Sequence, residues 1–141
     1  MISHLMRALG VLIILSIRKL ISILSIVFLG FISWIIYLAN TAQNSIFFEF
    51  VASIPYGDKL GHFCLFGLLT LGANLAFKLK TFRLLSLNVY VGSICVFLLA
   101  SIEELSQYLI PNRTLDAVDL LADMVGIVVF SIATRFIGKY T

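Results

Sequence analysis

Long apolar stretches separated by short polar connections organise the chain. Four of them approach the roughly 20 residues that a helix needs to cross about 30 Å of hydrocarbon, running approximately Leu20 to Ala39, Leu60 to Phe77, Leu84 to Ile102 and Leu115 to Ile137. In hydrocarbon every backbone N–H and C=O must be paired within the chain, so the abundant Ile, Val and Phe residues still predict helices. No period-2 alternation supports a barrel. Ahead of the first stretch, the apolar run Ala8 to Ile17 lies between Arg7 and the pair Arg18-Lys19. It mimics a signal peptide, but no small-x-small cleavage site follows. It is also too short to span, and a fifth span would bury Arg18 and Lys19 in mid-membrane. An uncleaved interfacial lead-in helix is therefore expected. With no internal repeat or low-complexity linker, the pattern predicts one all-α membrane domain over residues 1–141.

Composition agrees. Hydrophobic residues make up 61% of the chain and charged residues 12%, against about a quarter charged in soluble domains. The expected partners are membrane lipids, with no nucleic acid among them. Charge then supplies an orientation. Glu49, Asp58, Glu103, Glu104, Asp116, Asp119 and Asp123 all lie in or beside the connections after the first and third stretches. Arg7, Arg18, Lys19, Lys78, Lys80, Arg83, Arg135 and Lys139 lie in the two tails and the middle connection; only Lys59 and Arg113 sit among the acids. The positive-inside bias then predicts four spans with both termini cytoplasmic and the Asn112-Arg113 loop outside. Trp34, Tyr37, Tyr56 and Tyr108 fit an outer aromatic belt, and Tyr140 an inner anchor. The expected location is a cytoplasmic membrane, crossed several times.

Cysteine and glycine add little chemistry. Cys64 and Cys95 fall inside predicted helices, where a buried thiol behaves as a small hydrophobe, and no disulfide framework or cysteine metal signature is present. Gly67, Gly72, Gly92 and Gly126 suit close helix packing.

Three polar segments carry the candidate chemistry. In Gly57-Asp58-Lys59-Leu60-Gly61-His62-Phe63, Asp58 can cap the second helix, with His62 one turn below on the same face. An ionisable residue within a span is costly and tends to face a polar interior. In Glu103-Glu104-Leu105-Ser106-Gln107, Glu104 and Gln107 share a face and Glu103 pairs with Gln107 at four, one glutamate being expected simply to meet water. In Pro111 to Gly126, spacings of three and four put Asp116, Asp119 and Asp123 in one descending column. Asp116 can be a first-turn acid favoured by the helix dipole. Counted as continuous helix from Arg113, Asp123 lies roughly 15 Å deeper, which favours a neutral hydrogen-bonding role.

These segments resemble the VanZ-like family of small bacterial membrane proteins, whose founder is associated with resistance to the glycopeptide teicoplanin. The family pattern, Asp-Lys-x-x-His, then Glu-x-x-Gln, then Arg with a following Asp-x-x-x-Asn-x-x-Gly, maps onto Asp58, Lys59 and His62, onto Glu104 and Gln107, and onto Arg113, Asp119, Asp123 and Gly126. Asp123 departs from it, standing where the family usually has Asn. The match runs from about Tyr56 to Gly126. It implies an envelope role near peptidoglycan or its lipid-linked precursors, without an agreed activity.

From the residues, the leading expectation is an outward-facing site for the head group of an amphiphile, and the resemblance implies that this is a lipid-linked cell-wall intermediate or a lipoglycopeptide. His62, Asp58, Glu104 and Asp119 are the candidates for chemistry, with His62 as general acid or base partnered by Asp58 or Asp119. Lys59, Gln107, Arg113, Asp116 and Asp123 are candidates for ligand binding, Arg113 holding a phosphate or carboxylate through its donor fork. No outward serine or cysteine has an evident histidine partner, which disfavours a covalent hydrolase. No cofactor is expected; a divalent cation is conceivable among the carboxylates, but Arg113 would sit beside it. The rivals are a proton-coupled transporter or lipid translocator, which in so short a chain would need a homo-oligomer, and a purely structural polar lock.

Overall fold

The computed structural model describes residues 2–41, 43, 45–111 and 113–138, without the side chains of residues 2–5 and Arg18. The expectations for Asn112, Lys139 and Tyr140 fall outside the described residues. Helices α1 (Ile2–Asn40), α2 (Ile46–Ala52) and α3 (Gly57–Ala76) come first. A hairpin of β1 (Thr81–Leu84) and β2 (Leu87–Tyr90) follows, then α4 (Val91–Gln107) and α5 (Ala117–Gly138). Among the described residues three helices are long and apolar enough to cross a membrane: α1 from Met6, α3 and α5. With 17 residues, α4 reaches about 25 Å, short of the hydrocarbon thickness.

Three local expectations change. No break separates the expected lead-in from the first long helix, because no proline or glycine interrupts Val11 to Leu29 and α1 runs straight through Lys19. Leu84 to Tyr90, read as the start of the third span, belongs to the antiparallel hairpin instead, in the register Thr81 to Tyr90 and Leu84 to Leu87. Its two-residue turn places Leu85 at φ 54°, the positive φ that tight hairpins require. Arg135 Nη2 donates to the Asn88 carbonyl at 3.0 Å, tying the hairpin to the end of α5. The connection after α1 also contains α2, capped by the Ser45 hydroxyl, which accepts from the Phe47 N–H at 3.3 Å.

Helix α3 touches α1, α2, α4 and α5. Small residues allow that approach: a Cβ at Gly67 would stand 2.5 Å from the Phe130 ring, one at Gly72 2.6 Å from Ser25 Oγ, and one at Gly126 would meet the Phe63 carbonyl. The core between the helices holds Ile32, Phe66, Leu69, Val96, Ala100 and Ile127. Outward faces are apolar, as at Ile26, Val27, Val128 and Ile132. Cys95 belongs to that outward surface rather than to the interior, and Cys64 is half-buried; a thiol is apolar enough to face hydrocarbon.

Beyond the core, away from the acids, a second polar group ties α3, α4 and α5. Asn74 Nδ2 donates to Ser93 Oγ at 3.0 Å and to Thr134 Oγ1 at 3.3 Å, and the Ser93 and Ser131 hydroxyls lie 2.7 Å apart. Asn74 and Thr134 are fully buried. This neutral knot has no counterpart in the sequence reading. With interhelical polar bonds worth about 0.6 to 2 kcal/mol each, Asn74→Ala is expected to lower the unfolding temperature of the purified protein. An unchanged melting curve would show the knot to be energetically idle.

Candidate functional site

The site assembles at the start of α3, the end of α4 and the start of α5. Tyr56, in the left-handed region at φ 57°, precedes α3 and makes no side-chain cap. Asp58, expected as that cap, lies inside the first turn, and its carboxylate turns to Lys59 Nζ at 2.8 Å. Lys59 is the hub: its ammonium also lies 2.7 Å from Asp116 and 2.7 Å from Asp119. One lysine therefore gathers carboxylates from α3, from the loop before α5 and from α5 itself.

Residues 113–116 are not helical. Asp116 caps α5, its Oδ1 accepting from the Val118 N–H at 2.8 Å, in keeping with the dipole argument. In that loop, ahead of α5, the Lys59 ammonium and then the Val118 N–H hold the Asp116 carboxyl below the usual carboxylate range. Because helix starts only at Ala117, Asp123 is about 9 Å along α5 from its first residue rather than at the greater depth counted from Arg113.

Of the two partners expected for His62, Asp119 is within reach and Asp58 is not, and the shortest contact is to a third acid, Asp123. The imidazole Nδ1 lies 3.0 Å from Asp123 Oδ1, while Nε2 is 3.9 Å from Asp119 Oδ2. Asp58 is drawn away by Lys59. The His62 ring stacks on Phe66, with centroids 6.1 Å apart, which fixes its plane. Asp123 is fully buried, and its Oδ2 has no hydrogen-bond partner among the described residues.

At the end of α4 neither glutamate meets water: Glu103 is 7% exposed and Glu104 2%. Gln107 Nε2 donates to Glu103 Oε1 at 3.0 Å and to Glu104 Oε2 at 3.0 Å, and Glu104 Oε1 accepts from the Asp116 N–H. Both acids are buried because α4 turns this face toward α3 and α5. Arg113 Nη2 lies 3.3 Å from Glu103 Oε1, and Nη1 reaches Asn40 Oδ1 at the end of α1 at 3.5 Å. The cation beside Asp119 is thus Lys59 and not Arg113. The sequence-predicted site residues, joined by Glu103, form one chain of contacts, from Arg113 through Glu103, Gln107, Glu104, Asp116, Lys59 and Asp119 to His62 and Asp123, with Asp58 branching from Lys59. Among the described residues no group of His, Cys, Asp and Glu side chains is arranged to hold a metal ion.

A cavity of about 710 Å³ opens beside this network. Asp58, His62, Glu103, Arg113 and Asp119 line one end; Phe31, Ile35 and Ile36 of α1, Phe47 and Val51 of α2, and Leu65 of α3 line the rest. Sequence reasoning missed Glu103, Asn40 and the entire α1–α2 wall. The spacing of Glu103 to Gln107 was the available signal for the first; nothing marked the others. Comparison of the chain with known protein families, with curated proteins and with solved structures finds no match, so the site is read from its own geometry.

Proposed function

We propose that this is a VanZ-like integral membrane protein of the bacterial envelope, whose outward-facing site binds or modifies the head group of a cell-wall-related amphiphile and so contributes to teicoplanin-type glycopeptide resistance. The observation that carries the amphiphile reading is the two-faced cavity, apolar along α1 and α2 and charged where α3, α4 and α5 converge. Its volume lies within the range of small-molecule sites. His62 lines this space, with Nδ1 held by Asp123 at 3.0 Å, the arrangement of a positioned acid or base.

Two features weigh against the rivals. The opposite end of the bundle is locked by neutral Asn74, Ser93, Ser131 and Thr134, so helix locking in this chain does not require carboxylates. Between the two polar ends, Phe66, Leu69, Val96, Ala100 and Ile127 form an apolar layer, which a proton path would have to breach.

The reading is tested by extracting amphiphiles from the purified protein and weighing them by mass spectrometry. Gly61 lines the cavity, and a Cβ there meets nothing within 4 Å, so Gly61→Phe fills the space without a backbone clash. A co-purifying amphiphile present in the wild type and lost in Gly61→Phe is the expected result; equal recovery from both removes the cavity from consideration.

Orientation has its own test. In a background lacking Cys64 and Cys95, Thr114→Cys is expected to react with an impermeant thiol reagent on intact cells, and Ser86→Cys in the hairpin turn only after permeabilisation. The reverse pattern overturns cytoplasmic termini, and labelling of both from outside overturns the four-span arrangement with α4 as the third crossing.

A further inference from the structure

The charge balance of the cavity narrows the head group. Lys59 and Arg113 are the cations of the network, and both are engaged: Lys59 by Asp58, Asp116 and Asp119, Arg113 by Glu103. Against them stand six carboxylates, since Glu104 and Asp123 belong to the same network. With two of the six neutral and His62 protonated, four negative charges would still face three positive ones. An anionic head would have to take Arg113 from Glu103 and then sit among carboxylates, which repel it. A cationic donor meets the opposite situation.

The apolar side points to a chain. A second groove of about 600 Å³ lies along the seam of α1 and α3, lined by Ser25, Phe28, Leu68 and Gly72 among others, and shares Phe31 with the first cavity. The track leads from the charged end toward the neutral knot. Apart from Ser25, the side chains that line this groove are hydrocarbon, as an alkyl tail requires.

We infer that the amphiphile taken by this cavity carries a primary ammonium in its head group, received by Glu103, Asp119 and Asp58 beside His62, with its alkyl tail along the α1–α3 seam. The inference rests on the amphiphile reading given above and assigns the charge of the ligand. It also reassigns Arg113: this arginine holds Glu103 in place and does not bind an anion.

The sole tryptophan reports on the site. Trp34 lies 6.2 Å from the Phe31 ring and 6.3 Å from the Phe47 ring, and both phenylalanines line the cavity. Full-length protein in phosphatidylcholine nanodiscs would be titrated with dodecylamine and with dodecyl phosphate, each brominated at the chain end so that it quenches Trp34 on arrival. The same titrations on Gly61→Phe define the quenching that comes from bulk partitioning. The amine probe is expected to quench saturably, to lose that component in Gly61→Phe, and to half-saturate at about tenfold lower concentration than the phosphate, a discrimination within reach of one added charge pair. The isosteric Glu103→Gln is expected to narrow the ratio, and an unchanged ratio overturns the charge assignment. If the phosphate binds as tightly as the amine and is still blocked by Gly61→Phe, the ammonium inference falls while the amphiphile reading stands. If neither probe shows a saturable component removed by Gly61→Phe, both fall.

Discussion

Lys59→Met is expected to destabilise the protein by about 2 kcal/mol, between the range of an exposed ion pair and that of a buried one. The loss is large because a single ammonium separates three carboxylates. Without it Asp58, Asp116 and Asp119 face one another across the junction of α3 and α5, and Asp119 is only 14% exposed. The loss stays below the buried range because Lys59 keeps about a quarter of its side-chain exposure, and Asp58 and Asp116 are more exposed still. Thermal unfolding in detergent measures the effect, and a double-mutant cycle identifies its source. Asp119→Asn removes one of the stranded charges, so Lys59→Met combined with Asp119→Asn is expected to cost clearly less than the two single losses added together. Strict additivity would mean that the 2.7 Å contact to Asp119 carries no coupling, and a melting curve unchanged in Lys59→Met would reduce the hub to an ordinary surface ion pair.

Lysine 59 also marks where the sequence stops being informative. Its place among the acids was visible as an exception to the charge sorting, but not its role as their shared partner, which depends on how α3 docks against α5. Helical spacing orders residues along one helix and says nothing about rotation between helices. It put Asp116, Asp119 and Asp123 in one column, and the structure uses that column against α3, through Lys59 and then His62. The same reasoning paired His62 with Asp58 because they lie four apart, whereas the tertiary contact to Asp123 and the pull of Lys59 decide otherwise.

Other limits are local. The hairpin at Thr81 to Tyr90 was hidden because its turn is Leu85-Ser86, without the Asn-Gly or Asp-Gly signature of a two-residue turn, and because its leucines extend the apolar run. One of the two adjacent glutamates is expected from the sequence to meet water; here both are buried because Gln107 satisfies the pair from one turn below. The neutral knot around Asn74 carries no charge and no motif, so nothing distinguished Asn74, Ser93 and Thr134 from scattered polar residues in a helix. Gly67, Gly72, Gly92 and Gly126 were legible, because an absent side chain in a membrane-type helix has few uses other than close approach.

Asp123 gives the sharper functional contrast. Its Oδ1 contacts His62 Nδ1 while it is shielded completely from solvent, and an asparagine amide can serve the same imidazole either as acceptor from an N–H or as donor to a lone pair. Asp123→Asn is therefore expected to be nearly silent in both stability and binding of the amine probe. Asp123→Leu leaves the imidazole nitrogen without a partner and is expected to cost about 1 to 3 kcal/mol, with a lower unfolding temperature and a disordered head-group end. Asp119→Asn should behave differently again, because Asp119 lines the cavity and carries a charge paired with Lys59. It is expected to keep the fold and to weaken amine binding by about tenfold, the equivalent of roughly 1.4 kcal/mol. All three variants are compared at equal membrane expression, by unfolding temperature and by saturable Trp34 quenching. If Asp123→Asn binds as poorly as Asp119→Asn, the carboxylate at 123 is needed as a charge rather than as a hydrogen-bonding partner for His62. Proton coupling or cation binding at Asp123 would then replace the positioning role assigned to it.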